Sequence, residues 1–223
     1  MRVVLATVLI AGGLVVGCMS SVAAHADQET CPPVCDRIPD TAWISSSAIP
    51  MNSTYRWPSL AGVAVPMTGT ATPRFRFEEV CATPAFPQDT RNSAVAGRAI
   101  VANPHGQWQL QAQVLHWRGD TAHGGQNASS VFDVAAAALR GCQLGAAAES
   151  PSVTFDEPNR LAAVISGPVV MRTFLVAHPE NSTISELTLW SSEPPQVPWP
   201  VISDVQVLDA MASPVCAAYI GSC

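Results

Sequence analysis

Gln107-Trp108-Gln109-Leu110-Gln111-Ala112-Gln113-Val114 alternates a glutamine with an apolar side chain through four full periods. Successive side chains of an extended chain point to opposite faces. A period of two therefore defines a half-buried strand, with a Gln face to solvent and an apolar face inward. A second apolar run covers 97–102. Between them, Asn103-Pro104-His105-Gly106 has turn composition, so the two runs form a hairpin.

C-terminal to this hairpin the period changes. Ser129 or Ser130 can cap a helix with Asp133 in its first turn. Val131, Val134, Ala135, Ala138 and Leu139 form its apolar stripe, and Gly141 ends it. Three strand candidates follow at 161–166, 169–177 and 184–190. Gly167-Pro168 turns between the first two, and residues 178–182 turn before the third. After a Pro-rich connector at 193–200, Ser203 caps a last helix with Val207, Leu208 and Met211 on one face. Pro214 bends or ends that helix. Short turns between consecutive strands impose antiparallel pairing. The expectation is an α+β fold: a twisted antiparallel sheet of about five strands, with both helices packed on its apolar face.

N-terminal to the hairpin the chain is irregular. Residues 27–73 are rich in Pro, Ser and Thr, and the prolines forbid long regular elements. Trp43, Tyr55 and Trp57 make this segment an arm lying on the domain rather than a bare linker. Residues 1–26 read as an export signal: Arg2, then an apolar run, then a small-residue exit. Two exits compete. Ala24-His25-Ala26 fits ordinary cleavage before Asp27, whereas Val15-Val16-Gly17-Cys18 fits a lipoprotein signal in which Cys18 carries lipid. One lipid chain anchors a domain weakly. Elsewhere the best apolar stretch, 161–177, is broken by Gly167-Pro168 and carries Arg172, so it is no membrane span. The organisation is thus signal (1–26), arm (27–73) and α+β domain (74–223).

Apart from Cys18, the cysteines are Cys31, Cys35, Cys81, Cys142, Cys216 and Cys223. An even set in an exported chain reads as three disulfides. Spacing favours local loops Cys31–Cys35 and Cys216–Cys223, leaving Cys81 for Cys142; cross-links between the two terminal pairs are the alternative. Hydrophobic residues make up 48% of the chain and charged ones 13%, which excludes a disordered chain. The net charge is −6, and all 11 basic residues are Arg. That balance argues against nucleic acid, and with no Lys there is no phosphate-binding loop.

No Gly-x-Ser-x-Gly elbow or His-Glu-x-x-His motif is present. Candidate ligand-binding residues cluster where the Gln strand ends: His116, Trp117, Arg118 and His123, an aromatic and cationic rim for an anionic or sugar-bearing ligand. The bland reading is a core-edge His, a surface Arg and a loop. Nothing at loop spacing fixes His116, Asp120 and His123 as a metal set, so no metal or cofactor is expected. Arg172 joins the candidates. It shares a face with Val170, Phe174 and Val176, where a lone cation needs a carboxylate, a ligand anion or a route for its head to solvent.

Ser130-Val131-Phe132-Asp133-Val134, Leu139-Arg140-Gly141-Cys142, Phe174-Leu175-Val176 and Val207-Leu208-Asp209-Ala210-Met211-Ala212 follow one another in a familiar order. Over residues 75–220 the chain resembles exported mycobacterial proteins related to the extracellular sensor domain of the serine/threonine kinase PknH. The chain departs from that protein in carrying no kinase or transmembrane portion, and its Cys31/Cys35 arm is extra. The resemblance implies a disulfide-bonded α+β domain with a ligand cleft; it brings no catalytic motif and no ligand residues. The functional expectation is non-catalytic binding of an envelope small molecule, lipid or glycan in a cleft between sheet and arm. The alternatives are an envelope protein–protein interaction module and a hydrolase whose Ser, His and Asp meet only in space.

Overall fold

The computed structural model describes residues 31–67, 72–192 and 194–219. The signal segment with Cys18, and Cys223, lie outside the described residues. The expected hairpin is present as β2 (Val95–Val101) and β3 (Gln109–His116), paired from Val95↔His116 to Val101↔Leu110. Gly106 closes its turn at φ 79°, a conformation that favours glycine. Around it the sheet has seven strands. β1 is Val65–Pro66, β4 Ser150–Glu157, β5 Arg160–Ser166, β6 Val169–His178 and β7 Thr183–Ser192. The spatial order is β1-β2-β3-β7-β6-β5-β4, and every pairing is antiparallel.

The expected five strands therefore become seven, and the two additions are the sheet's edges. β4 was hard to read because an edge strand tolerates what a central one rejects. Its Ser150-Pro151-Ser152-Val153-Thr154-Phe155-Asp156-Glu157 is mostly exposed, and its register shifts between Val153 and Phe155.

Short helices α1 (Asn52–Tyr55) and α2 (Leu60–Val63) lie in the arm, and α3 (Arg76–Val80) precedes β2. The main helices are α4 (Thr121–Arg140) and α6 (Asp204–Ala218), with the single turn α5 (Cys142–Gly145) after α4. Ser203 caps α6 as anticipated, accepting the Gln206 amide, and the helix runs on through Pro214. α4 begins eight residues before the anticipated serine cap. Asp120 caps it instead, accepting the Ala122 amide at 2.9 Å. Gly124 and Gly125, which read as loop, form its first turns because close packing demands them. A Cβ on Gly125 would stand 2.5 Å from the Pro179 carbonyl oxygen.

The two long helices do not share a face. α4 packs with Leu115, Leu161, Ile165, Met171, Leu175 and Ile184. α6 packs with Phe174, Val176, Leu187 and Leu189 on the other side, where Trp43, Trp57 and Leu60 of the arm complete the layer. β5 and β6 are apolar on both faces, so each face must be covered. The Gln face of β3 is accordingly buried at Gln111 and Gln113 and half-buried at Gln109, not solvated. Gln111 donates to Glu186, and Gln113 accepts from Arg98 at 2.7 Å. The alternation separated a polar layer from an apolar one, and the helix α3 segment covers the polar layer.

Cys31–Cys35 and Cys81–Cys142 are disulfides. Cys216 is also disulfide-bonded. Bridged cysteines fit an oxidising compartment. Among the described residues, no helix is long and apolar enough to cross a membrane.

Candidate binding cleft

The four residues anticipated as a ligand rim and the separate candidate Arg172 do not form one site. His116 is fully buried, its ring stacked on Tyr219 at 4.5 Å between centroids. Its Nε2–H donates to the Cys35 carbonyl at 3.0 Å, and Nδ1 lies 3.0 Å from Thr183 Oγ1. Burial holds its pKa below the ordinary histidine value. Trp117 is also core, its indole N–H donating to the Thr90 carbonyl at 2.9 Å. Arg118 is exposed. His123, with 84% of its side chain exposed, pairs with the α4 cap Asp120 at 2.6 Å. Arg172 stands elsewhere, half-buried with its guanidinium 4.5 Å from the Trp199 ring centre. Among the described residues no hydroxyl bonds to His123, and no carboxylate reaches His116. No group of three or more metal-ligating side chains stands together among them either.

The sheet face under α3 holds a perturbed acid. Glu186 is fully buried and accepts from the Arg76 amide (2.6 Å), Gln111 Nε2 (3.2 Å) and Thr188 Oγ1 (3.1 Å). Desolvation pushes its carboxyl up to about 7, against the opposing pull of those hydrogen bonds. Beside it Arg91 is clamped by Glu78 (2.6 Å) and Asp89 (2.7 Å), both buried. Asp89 and Arg91 border a small void of about 50 Å³, and none of these four groups lines the two larger clefts described next.

A concave site lies where the arm meets the β1–β2 edge. It encloses about 380 Å³. Asp36, Arg37, Ile38, Asp40 and Trp43 form the arm wall, and Ala64 to Pro66 with Val95 to Gly97 form the sheet wall. Local chemistry builds it. β1 pairs Val65 with Arg98 and Pro66 with Gly97 of β2, and the Met67 amide donates to the Ala96 carbonyl at 2.8 Å. Pro39 leads into a 3-10 turn at Asp40–Ala42, which delivers Trp43. Gly97 makes room for that indole: a Cβ there would stand 3.1 Å from Trp43 Cζ2 and 3.4 Å from Ile38 Cδ1. The Cys31–Cys35 bridge and the His116 bond to the Cys35 carbonyl fix the wall just before Asp36. His116 is thus a support for the cleft wall and not part of its lining.

A wider groove of about 690 Å³ runs along α4 beside Pro179 and Glu180, lined by Thr121, Gln126, Ser129 and Asp133. Its walls are one helix flank and a turn, open to solvent, so it could enclose little of a ligand. The arm–sheet cleft is smaller but has an indole, aliphatic walls and charged groups at its mouth. Asp36, Asp40 and Gly97 were not singled out from sequence, and Trp43 was read only as an aromatic that holds the arm to the domain. The one signal for Asp36 and Asp40 was their position soon after Cys31-Pro32-Pro33-Val34-Cys35. Comparison with family models, curated proteins and solved structures yields no match for the chain.

Proposed function

We propose that the protein is an exported envelope module that binds a small envelope molecule, without catalysis, in the cleft between arm and sheet. One observation carries this reading: a concave site of about 380 Å³ with an apolar interior and a few polar groups at its mouth. That size and make-up fall within the ordinary range of small-ligand pockets. The disulfides, the signal-like residues 1–26 and the resemblance to the PknH sensor-domain-like family support the compartment and the sensor-like role.

A second reading rests on a different surface. Val201 is fully exposed beside a groove of about 650 Å³ between Met51 and Ile202, which suits docking of another envelope protein.

The test is a native mass spectrum of the protein made with its own signal in a mycobacterial host, alongside Ala64→Phe. Ala64 is only partly buried, and a phenyl ring there fills the cleft. Extra mass released on denaturation from the parent protein but missing from Ala64→Phe supports the reading. A bare parent mass, or a ligand that Ala64→Phe retains, refutes it and favours the protein partner.

A further inference from the structure

Arg172 is half-buried on the α6 face of β6, opposite Val164 of β5 and Leu189 of β7. Burial pulls its pKa below the ordinary arginine value, and the charge that acts against this is that of Asp204, which makes no ion pair with it. Among the described residues, every other arginine that is buried or half-buried has a hydrogen-bond acceptor. Arg91 has Glu78 and Asp89, Arg98 has Gln113, Arg160 has Asp209, and Arg74 and Arg76 are likewise bonded. Arg172 has no acceptor among them and rests only on the face of Trp199, 4.5 Å from the ring centre. Trp199 shows the same deficit. Its indole N–H is screened from solvent and has no acceptor among the described residues, whereas Trp57, Trp108 and Trp117 each donate to a backbone carbonyl.

A half-buried cation and a buried N–H each carry a desolvation cost that a partner would recover. The Pro-rich connector sets the two side by side. The Val197 carbonyl accepts from Trp108, Pro198 and Pro200 bracket Trp199, and the Trp199 ring meets Trp108 edge-on at 5.3 Å. Both groups can only donate, so their partner is an acceptor, and the guanidinium charge makes it an anion. We propose that Arg172 and Trp199 form an anion site on the α6 face, separate from the arm–sheet cleft, for a carboxylate on an apolar body. Arg172, still partly exposed, takes the carboxylate first, and the indole N–H is the inner donor. The planar fork of an arginine matches the two oxygens of a carboxylate. The apolar body lies over Val164 and Val170, both half-buried beside Arg172.

The experiment is a titration of the full mature chain with octanoate, 1-octanol and n-octylammonium, each below its aggregation limit, followed by calorimetry and by the indole N–H resonances in proton–nitrogen NMR. Octanoate should bind about ten-fold more tightly than octanol, and octylammonium more weakly than either. The Trp199 indole resonance, assigned with Trp199→Phe, should shift with the octanoate midpoint. Arg172→Met keeps the apolar stem and should lose the preference for octanoate. Arg172→Lys keeps the charge without the fork and should lose part of it. Asp204→Asn removes the opposing charge and should tighten octanoate by up to about five-fold. Ala64→Phe should leave octanoate binding unchanged, so this site and the arm–sheet cleft are judged separately. Equal binding of octanoate and octanol, a Trp199 resonance that does not move, or no saturable octanoate binding overturns the assignment. Octanoate binding abolished by Ala64→Phe also overturns it, and places the carboxylate in the arm–sheet cleft.

Discussion

Replacing Glu186 by Gln should stabilise the protein at neutral pH and leave it unchanged in acid. Glu186 lies at the centre of the covered sheet face, fully buried, and desolvation raises its carboxyl from 4.5 to about 7. The sign follows from linkage. In the unfolded chain the carboxyl ionises near 4.5, whereas the folded chain holds the proton to about 7. The stability this group contributes is fully present below 4.5 and is lost as pH rises through 7. One pKa unit corresponds to about 1.4 kcal/mol, so the loss is on the order of 3 kcal/mol. Glutamine has the same shape and carries no charge at any pH. It can still accept from the Arg76 amide, which sits 2.6 Å from the carboxyl.

Urea unfolding of both proteins from pH 4 to 8, disulfides intact, reads the difference directly. The two should agree near pH 4, and Glu186→Gln should be more stable by about 3 kcal/mol at pH 8. His116 and His178 complicate either curve alone. Burial lowers both pKa values, so their stabilising contribution is present above 6.5 and lost as pH falls through their folded values. Both proteins contain them, so they cancel in the difference. A difference that stays flat with pH, or a Glu186→Gln protein weaker at every pH, would refute the reasoning. It would mean that the hydrogen bonds and the nearby Arg98 outweigh the desolvation.

Three further outcomes are expected. Removing the Cys81–Cys142 bridge with a double Ala substitution frees a 61-residue separation and should cost about 4 kcal/mol in chemical unfolding. Gly125→Ala forces a Cβ to 2.5 Å from the Pro179 carbonyl and should cost about 1–3 kcal/mol, seen as a lower Tm; a neutral result would show that α4 can shift away. Cys31→Ser with Cys35→Ser opens a separation of only 4 residues, so the stability cost should be smaller, about 2 kcal/mol. Ligand affinity should fall in that variant, because Asp36 follows directly on the released wall. Unchanged affinity would detach the bridge from the cleft.

Some of the architecture was legible because it rests on local chemistry. The Asn103-Pro104-His105-Gly106 turn, the strands flanking Gly167-Pro168 and the Ser203 cap each follow from a few neighbouring residues. Cys31–Cys35 and Cys81–Cys142 followed from counting and spacing. The misreadings share a cause. Gly124-Gly125 looks like a loop until Pro179 is set against it. Gln111 and Gln113 look solvated until Glu186 and Arg98 meet them from β7 and β2. His116 and Trp117 look like a binding rim until Tyr219 and Thr90 close over them.

By itself, then, the amino-acid sequence determined an α+β class, the antiparallel hairpins and the Ser203 cap, and its spacing favoured two of the bridges, because turns, caps and period-two patterns act over a few residues. Only the tertiary structure decided which face each helix covers, which polar residues are buried, and where a cleft opens. Those depend on contacts between segments far apart in the chain. The arm at Asp36–Trp43 meets β2 at Gly97 across some sixty residues, and no local pattern encodes that meeting.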